Sequence, residues 1–254
     1  MSGHSKWSTI KRKKGAADAK RGALFGKLSR AITVAAREGG GDPDMNPALA
    51  LAVSRAKDSN MPNDNIARAI EKGTGAGADA DTFERITYEG YAPGGVAVLV
   101  DVLTDNRNRA ASDVRYIFSK NGGNLGTSGS VSYLFDRKGI ILVPAGAVDE
   151  DELMELALEA GAEDMEPQEN DYRIITEAGD FMAVRERLEA ADIPYENAEV
   201  TMQPQNTIDL DAATAKQTLR LIDALEDNDD VQEVYANFDI SDEVMAVTLD
   251  EDVK

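Results

Sequence analysis

The apolar residues of this chain recur with two different periods, and the change between them falls in one short stretch. Before residue 74 they return every three or four positions, which lays them along one side of a helix. After residue 82 they alternate or run in short blocks, the pattern of strands. Between the two lies Thr74-Gly75-Ala76-Gly77-Ala78-Asp79-Ala80-Asp81, a Gly/Ala/Asp run that reads as a linker. Such a chain folds as a helical domain followed by sheet-and-helix domains. Its 254 residues leave room for two or three of them, and 42% apolar content is enough to fill their cores.

In the first part, residues 1–14 form a basic arm. A helix is predicted from about Ala16 to Arg37, with Leu24, Leu28, Ala31, Ile32 and Ala35 on its apolar side. Winding at about 100° per residue puts Lys20, Lys27, Arg30 and Arg37 together on the opposite side. Gly39-Gly40-Gly41 stops this helix. Asn46-Pro47 starts a second, which runs to about Asp58, with asparagine as cap and proline in the first turn. Met61-Pro62-Asn63-Asp64 opens a short third helix with Ile66, Ala69 and Ile70 as its stripe and Gly73 at its end. Three helices with short connections make a small bundle over 15–75.

Beyond the linker, Phe83–Tyr91 and Val96–Thr104 read as strands joined by the turn Ala92-Pro93-Gly94-Gly95. A helix from Asn108 to about Lys120 follows, then the glycine-rich loop Asn121–Gly129, then strands Val131–Asp136 and Gly139–Val143. Helix Asp149–Ala160, a strand near 162–168, strand Tyr172–Thr176, helix Asp180–Ala191 and strand Tyr195–Thr201 complete a βαββαβ series with Gly139–Val143. That is the split pattern of a ferredoxin-like fold. Helix Asp211–Leu225 and strand Val231–Phe238 belong with the elements of 82–136. The expected fold is therefore α+β and multidomain: a three-helix domain, then two ferredoxin-like α/β domains, one inserted in the other. The outer one spans 82–136 plus 205–245 and the inserted one 137–204.

Composition removes most chemistry. The chain has no cysteine and a single histidine, His4, so thiolate zinc sites, disulfides and serine–histidine triads lack material. Gly22-Ala23-Leu24-Phe25-Gly26-Lys27 is one residue short of a phosphate-binding loop, and Leu28 stands where its hydroxyl belongs. Gly73-Thr74-Gly75-Ala76-Gly77 follows no strand, and Asp227-Asn228-Asp229-Asp230 lacks the glycine and spacing of a calcium loop. No catalytic activity, metal, cofactor or small-molecule substrate is expected. No apolar run reaches the ~18 residues of a membrane span, and the first fifteen residues lack the apolar core of a secretory signal.

Charge points the other way. The net charge is −20, yet residues 1–30 carry nine Lys/Arg and one acid, whereas residues 136–254 carry eight Lys/Arg and thirty-three acids. A cationic end on an acidic chain marks a working surface for phosphate. Its candidate contacts are Lys6, Lys11, Arg12, Lys13, Lys14, Lys20, Arg21, Lys27 and Arg30. Trp7 and His4 could stack on unpaired bases, or Trp7 could staple the arm to the bundle. Arg107 and Arg109, at the start of a helix, are further phosphate candidates. The loop Asn121–Ser130 either admits a backbone or phosphate closely or is a plain connection. The acidic part is a solvated surface or a face for basic protein partners.

The run Gly3-His4-Ser5-Lys6-Trp7, Ile10-Lys11-Arg12-Lys13-Lys14, Asp18-Ala19-Lys20-Arg21 and Phe25-Gly26-Lys27-Leu28 resembles the opening of the YebC family. The resemblance continues through Asn60-Met61-Pro62, Asp64-Asn65-Ile66, Ile70-Glu71-Lys72-Gly73, Tyr88-Glu89-Gly90-Tyr91, Pro93-Gly94-Gly95, Thr104-Asp105-Asn106-Arg107-Asn108-Arg109 and Asn121-Gly122-Gly123. It implies a helical N-terminal domain with two α/β domains, nucleic-acid binding and no enzymatic activity. It also implies one of two roles: a translation factor acting on the ribosome at difficult peptide sequences such as proline runs, or a DNA-binding transcriptional regulator. The basic residues it carries over are Lys6, Lys11, Arg12, Lys13, Lys14, Lys20, Arg21 and Lys27. Mitochondrial relatives have an extension before the motif, so an opening at Ser2-Gly3 fits a bacterial-type, cytoplasmic protein. The expected partner is RNA, as on the ribosome, or DNA, with no membrane. The alternative from another class is an acidic protein-interaction module.

Overall fold

Three helices, α1 (Asp18–Gly39), α2 (Pro47–Asp58) and α3 (Asn63–Thr74), form the N-terminal bundle. The computed structural model describes residues 18–75, 83–168, 170–241 and 243–245. Both short helices pack on α1. Ile32, Ala35 and Ala36 meet Leu49, Val53, Ala56, Met61, Ile66 and Ala69, with Phe25 and Leu28 at the margin. Leu24, expected on the apolar stripe, is 44% exposed. The bulkier Phe25 ring next to it packs at the edge of that core instead.

Asn46 does more than cap α2. Its side chain accepts from the Leu49 amide and donates to the Ala35 and Gly40 carbonyls, so one buried residue ends α1 and begins α2. Gly73 lies inside α3 rather than past its end. A Cβ there would strike the Thr33 carbonyl oxygen, so glycine sets how closely α3 approaches α1. The Thr33 hydroxyl donates to the Ala69 carbonyl at 3.0 Å across the same contact.

Beyond the bundle the chain is α+β, in two units: Phe135–Gln203 forms one, and the segments on either side of it form the other. In the outer unit, β1 (Glu84–Tyr91) and β2 (Ala97–Thr104) make an antiparallel hairpin through the 3-10 turn Pro93–Gly95. β3 (Asn124–Leu125) joins β1, and β9 (Val231–Ala236) joins β2, in the order β3-β1-β2-β9. Helices α4 (Arg107–Lys120) and α7 (Ala212–Glu226) share a core with Val98, Val100 and Val102 of β2. Two short strands, β8 (Ile208–Asp209) and β10 (Phe238–Asp239), pair in parallel.

The inserted unit runs β4 (Phe135–Pro144), α5 (Glu150–Glu159), β5 (Ala162–Pro167), β6 (Asp171–Glu177), α6 (Phe181–Ala190) and β7 (Asn197–Pro204). Its sheet order, β5-β6-β4-β7, is that of a ferredoxin-like split βαββαβ. The outer unit also has a four-stranded sheet and two helices but starts from a hairpin.

The two strands expected at Val131–Asp136 and Gly139–Val143 are in fact one, β4, preceded by a 3-10 turn at Ser132–Leu134. The cause is Glu89, on β1. Its carboxylate accepts from the backbone N–H groups of Gly129, Val131 and Ser132 at 2.6, 2.8 and 2.8 Å, which takes the donors a strand would need. Asp136, expected at the end of the first strand, and Arg137, expected between the two, are the exposed stretch of β4. Burial pushes the Glu89 carboxyl up, but the three backbone donors outweigh it and hold it below its ordinary value. Glu89→Gln replaces an acceptor by an amide that also presents donors. Urea unfolding should place this variant about 2 kcal/mol below the parent, within the ~1–3 kcal/mol of an unsatisfied buried group. Glu84→Gln, exposed on the same strand, should shift it by less than about 0.5 kcal/mol.

Candidate nucleic-acid interface

The candidate contacts His4, Lys6, Trp7, Lys11, Arg12, Lys13 and Lys14 lie outside the described residues. Lys20 is described only as backbone within α1, and Arg21 is exposed on the same helix. Further along α1, Lys27 and Arg30 turn towards the α/β part of the outer unit rather than to solvent. The Lys27 ammonium donates to the Glu226 carbonyl at the end of α7. Burial lowers its pKa, and the charges of Glu226, Glu233, Asp229 and Asp227 partly restore it. Arg30 Nη1 lies 3.1 Å from the Leu103 carbonyl, 3.0 Å from the Asp229 carbonyl and 3.1 Å from Asp230 Oδ1. On α2, Arg55 pairs with Glu233 of β9 at 3.1 Å.

Asp230 is the centre of this contact. It ends the Asp227–Asp230 turn between α7 and β9, and its side chain is 10% exposed. Besides Arg30 it receives Arg109 Nη2 at 2.8 Å and the Thr104 hydroxyl at 2.9 Å. Burial pushes its carboxyl up, but the hydrogen bonds from Arg109 and Thr104 and the two arginine charges overcome this and hold it below its ordinary value. Arg109 also meets Asp105 at 2.7 Å and is held firmly charged by both carboxylates. Asn106 caps α4 by accepting from the Arg109 amide, which sets the arginine in place. Arg107 is exposed and stands 3.9 Å from Glu84. Lys27, Arg30 and Arg109, three of the cations expected to touch phosphate, thus have protein partners. The glycine-rich loop likewise wraps an anion, but that anion is Glu89.

The structure adds two cations that sequence reasoning passed over. On α3, Arg68 and Lys72 stand close in sequence to Asp64 and Glu71, which cancel their charge in any local count. Arg68, Lys72 and Asn65 instead line one groove between α1 and α3, with Phe83 and Ser29. Both cations are exposed and make no ion pair among the described residues. The signal was their spacing of four, which puts them on one side of a helix. Among the described residues no three His, Cys, Asp or Glu side chains gather as a metal site, and no helix is long and apolar enough to cross a membrane.

A basic helical bundle tied by arginines to a split α+β body defines the class of protein. The N-terminal domain model of the TACO1/YebC proteins matches residues 5–76, and the model of their second and third domains matches residues 83–238. The chain belongs to the TACO1/YebC family. It is 76% identical over 246 residues to a protein of Rubrobacter xylanophilus named a probable transcriptional regulatory protein, covering 97% of this chain and 98% of that one. A protein of Syntrophus aciditrophicus with the same name is 58% identical over 245 residues, covering 96% and 98%. The crystal structure of a conserved hypothetical protein from Aquifex aeolicus superposes with a TM-score of 0.76 at 52% identity, covering 89% of this chain and 93% of that one.

Asp230→Asn keeps the shape and removes the charge. It should cost about 2 kcal/mol, between the ~3–5 kcal/mol of a fully buried broken pair and the ~0–1 kcal/mol of a surface one. A carboxyl with a depressed folded pKa contributes fully above its unfolded value and loses the contribution as pH falls. The stability gap between parent and variant, read by urea unfolding, should hold steady above about pH 4 and narrow below it.

Proposed function

We propose that this protein is a nucleic-acid-binding regulator of gene expression in the cytoplasm, and that it acts on RNA at the ribosome as a translation factor relieving stalls at difficult sequences. The observation that carries this reading is how the charges pair. The Glu226 carbonyl at the end of α7, Asp230 in the turn that follows and Glu233 of β9 engage Lys27, Arg30 and Arg55 of the bundle. The acidic remainder of the chain repels phosphate, so a polyanion is directed to the basic arm and to Arg68 and Lys72. His4 and Trp7 in that arm suit unpaired bases, which RNA loops offer and duplex DNA does not.

A second reading, a DNA-binding transcriptional regulator, has two supports. Relatives carry that name. Asn65 and Arg68 on α3 are also residue types that pair with adenine and guanine edges. The purified full chain, mixed with ribosomes and excess duplex DNA at near-physiological salt, separates the two. Co-sedimentation with ribosomes is the expected result, and loss of the protein to the DNA would favour the transcriptional reading. With Lys6, Lys11, Arg12, Lys13 and Lys14 engaged, the arm alone should contribute about −3.5 to the slope of log K for single-stranded RNA against log salt. Reversing Lys11, Arg12, Lys13 and Lys14 to glutamate should abolish ribosome association.

A further inference from the structure

We infer that the groove between α1 and α3 is a pocket for one unpaired nucleotide of a single-stranded RNA, held by its phosphate on Arg68 and Lys72 and by its base against the Arg30–Phe83 pair. The inference rests on the nucleic-acid reading above and adds a site to it. The groove encloses about 400 Å³. That is at the lower end of the ~300–1,000 Å³ typical of small-ligand sites, and too small for a duplex.

Its walls carry complementary chemistry. Arg68 and Lys72 stand one turn apart on α3, exposed and without an ion pair among the described residues, as a phosphate site needs. Asn65, one turn before Arg68, offers both a donor and an acceptor to a base edge. The Arg30 guanidinium lies over the Phe83 ring, 5.2 Å from its centroid, and its bonds to Leu103, Asp229 and Asp230 hold it there. Unpaired bases stack on such fixed planar surfaces. The Asp230 network therefore gives Arg30 a second role, as a pre-positioned platform.

Gly26 supplies an independent observation. It lies inside α1, where glycine is a poor helix former, and it lines the groove. A Cβ added at Gly26 would meet nothing within 4 Å, so packing does not require glycine there. What its missing side chain provides is room in the groove.

The test uses the full chain and fluorescence anisotropy with a labelled ten-nucleotide oligoadenylate and an abasic ribose-phosphate strand of equal length. The parent should prefer the base-bearing strand by about tenfold, in the range of one stacked base. Gly26→Leu fills the groove without removing charge. It should lower that preference to whatever His4 and Trp7 of the arm contribute, with an unchanged salt slope and an undiminished thermal midpoint. Arg68→Ala and Lys72→Ala change only exposed cations. Each should flatten the slope by about 0.7 on single strands, and together they test the pocket even if Gly26→Leu does not fold. Folded groove variants with parental affinity, slope and base preference would overturn the pocket while leaving an arm-based RNA reading in place. A parent that binds neither strand would overturn both.

Discussion

Asp230 is the single carboxylate on which the arrangement of the outer unit turns. Two segments distant in sequence converge on it: α1 through Arg30, and the stretch from the end of β2 into the first turn of α4 through Thr104 and Arg109. A carboxylate with one-tenth of its side chain exposed is stable only if its lone pairs are filled by charged or hydrogen-bonding donors, and here they are. This constraint explains several features together. Asn106 must cap α4 so that Arg109 faces Asp230. The turn at Asp227–Asp230 must be tight, and Asn228 tightens it by accepting from the Asp230 amide at 2.9 Å. Lys27 and Arg30 of α1 must turn towards the α/β part rather than solvent. Replacing the whole cluster by apolar residues could preserve stability, but it would remove the Arg30 guanidinium that lies over Phe83.

What could be read from the sequence follows from the range of the interaction that decides each feature. Asn46-Pro47, Asn106 and Asp211 cap helices through amides two or three residues away, so α2, α4 and α7 begin where the local pattern places them. The βαββαβ order of the inserted unit is likewise a matter of period and turn signals. The strand expected at Val131–Asp136 was illegible because Glu89, some forty residues earlier, takes its amides. No local window holds that information.

The candidate site was legible in kind but not in membership. Charge segregation marks the N-terminal end, and the helical period correctly gathers Lys27 and Arg30 on one side of α1. It does not reveal that the acceptors for that side stand 200 residues away in a turn that looked like a poor calcium loop. Conversely, Arg68 and Lys72 are hidden in a local charge count, because Asp64 and Glu71 are close in sequence. On the helix, Asn65, Arg68 and Lys72 share the groove, which Asp64 and Glu71 do not line. Counting net charge over a segment misses what the face of a helix separates.

The same confusion arises twice in this chain, and for one reason. Arg30, Arg109 and a glycine-rich loop have the sequence appearance of phosphate sites, yet here they serve the protein's own carboxylates, Asp230 and Glu89. Aspartate and glutamate satisfy arginines and backbone amides with the same geometry and sign as a phosphate oxygen. In a chain with forty-seven acids, internal carboxylates therefore compete for every such site. Arg68 and Lys72 differ from Lys27, Arg30 and Arg109 in that no acid pairs with them among the described residues. The acidic excess of the chain then has a structural meaning. It fixes the bundle through a few buried or half-buried pairs and leaves the groove cations of α3 available.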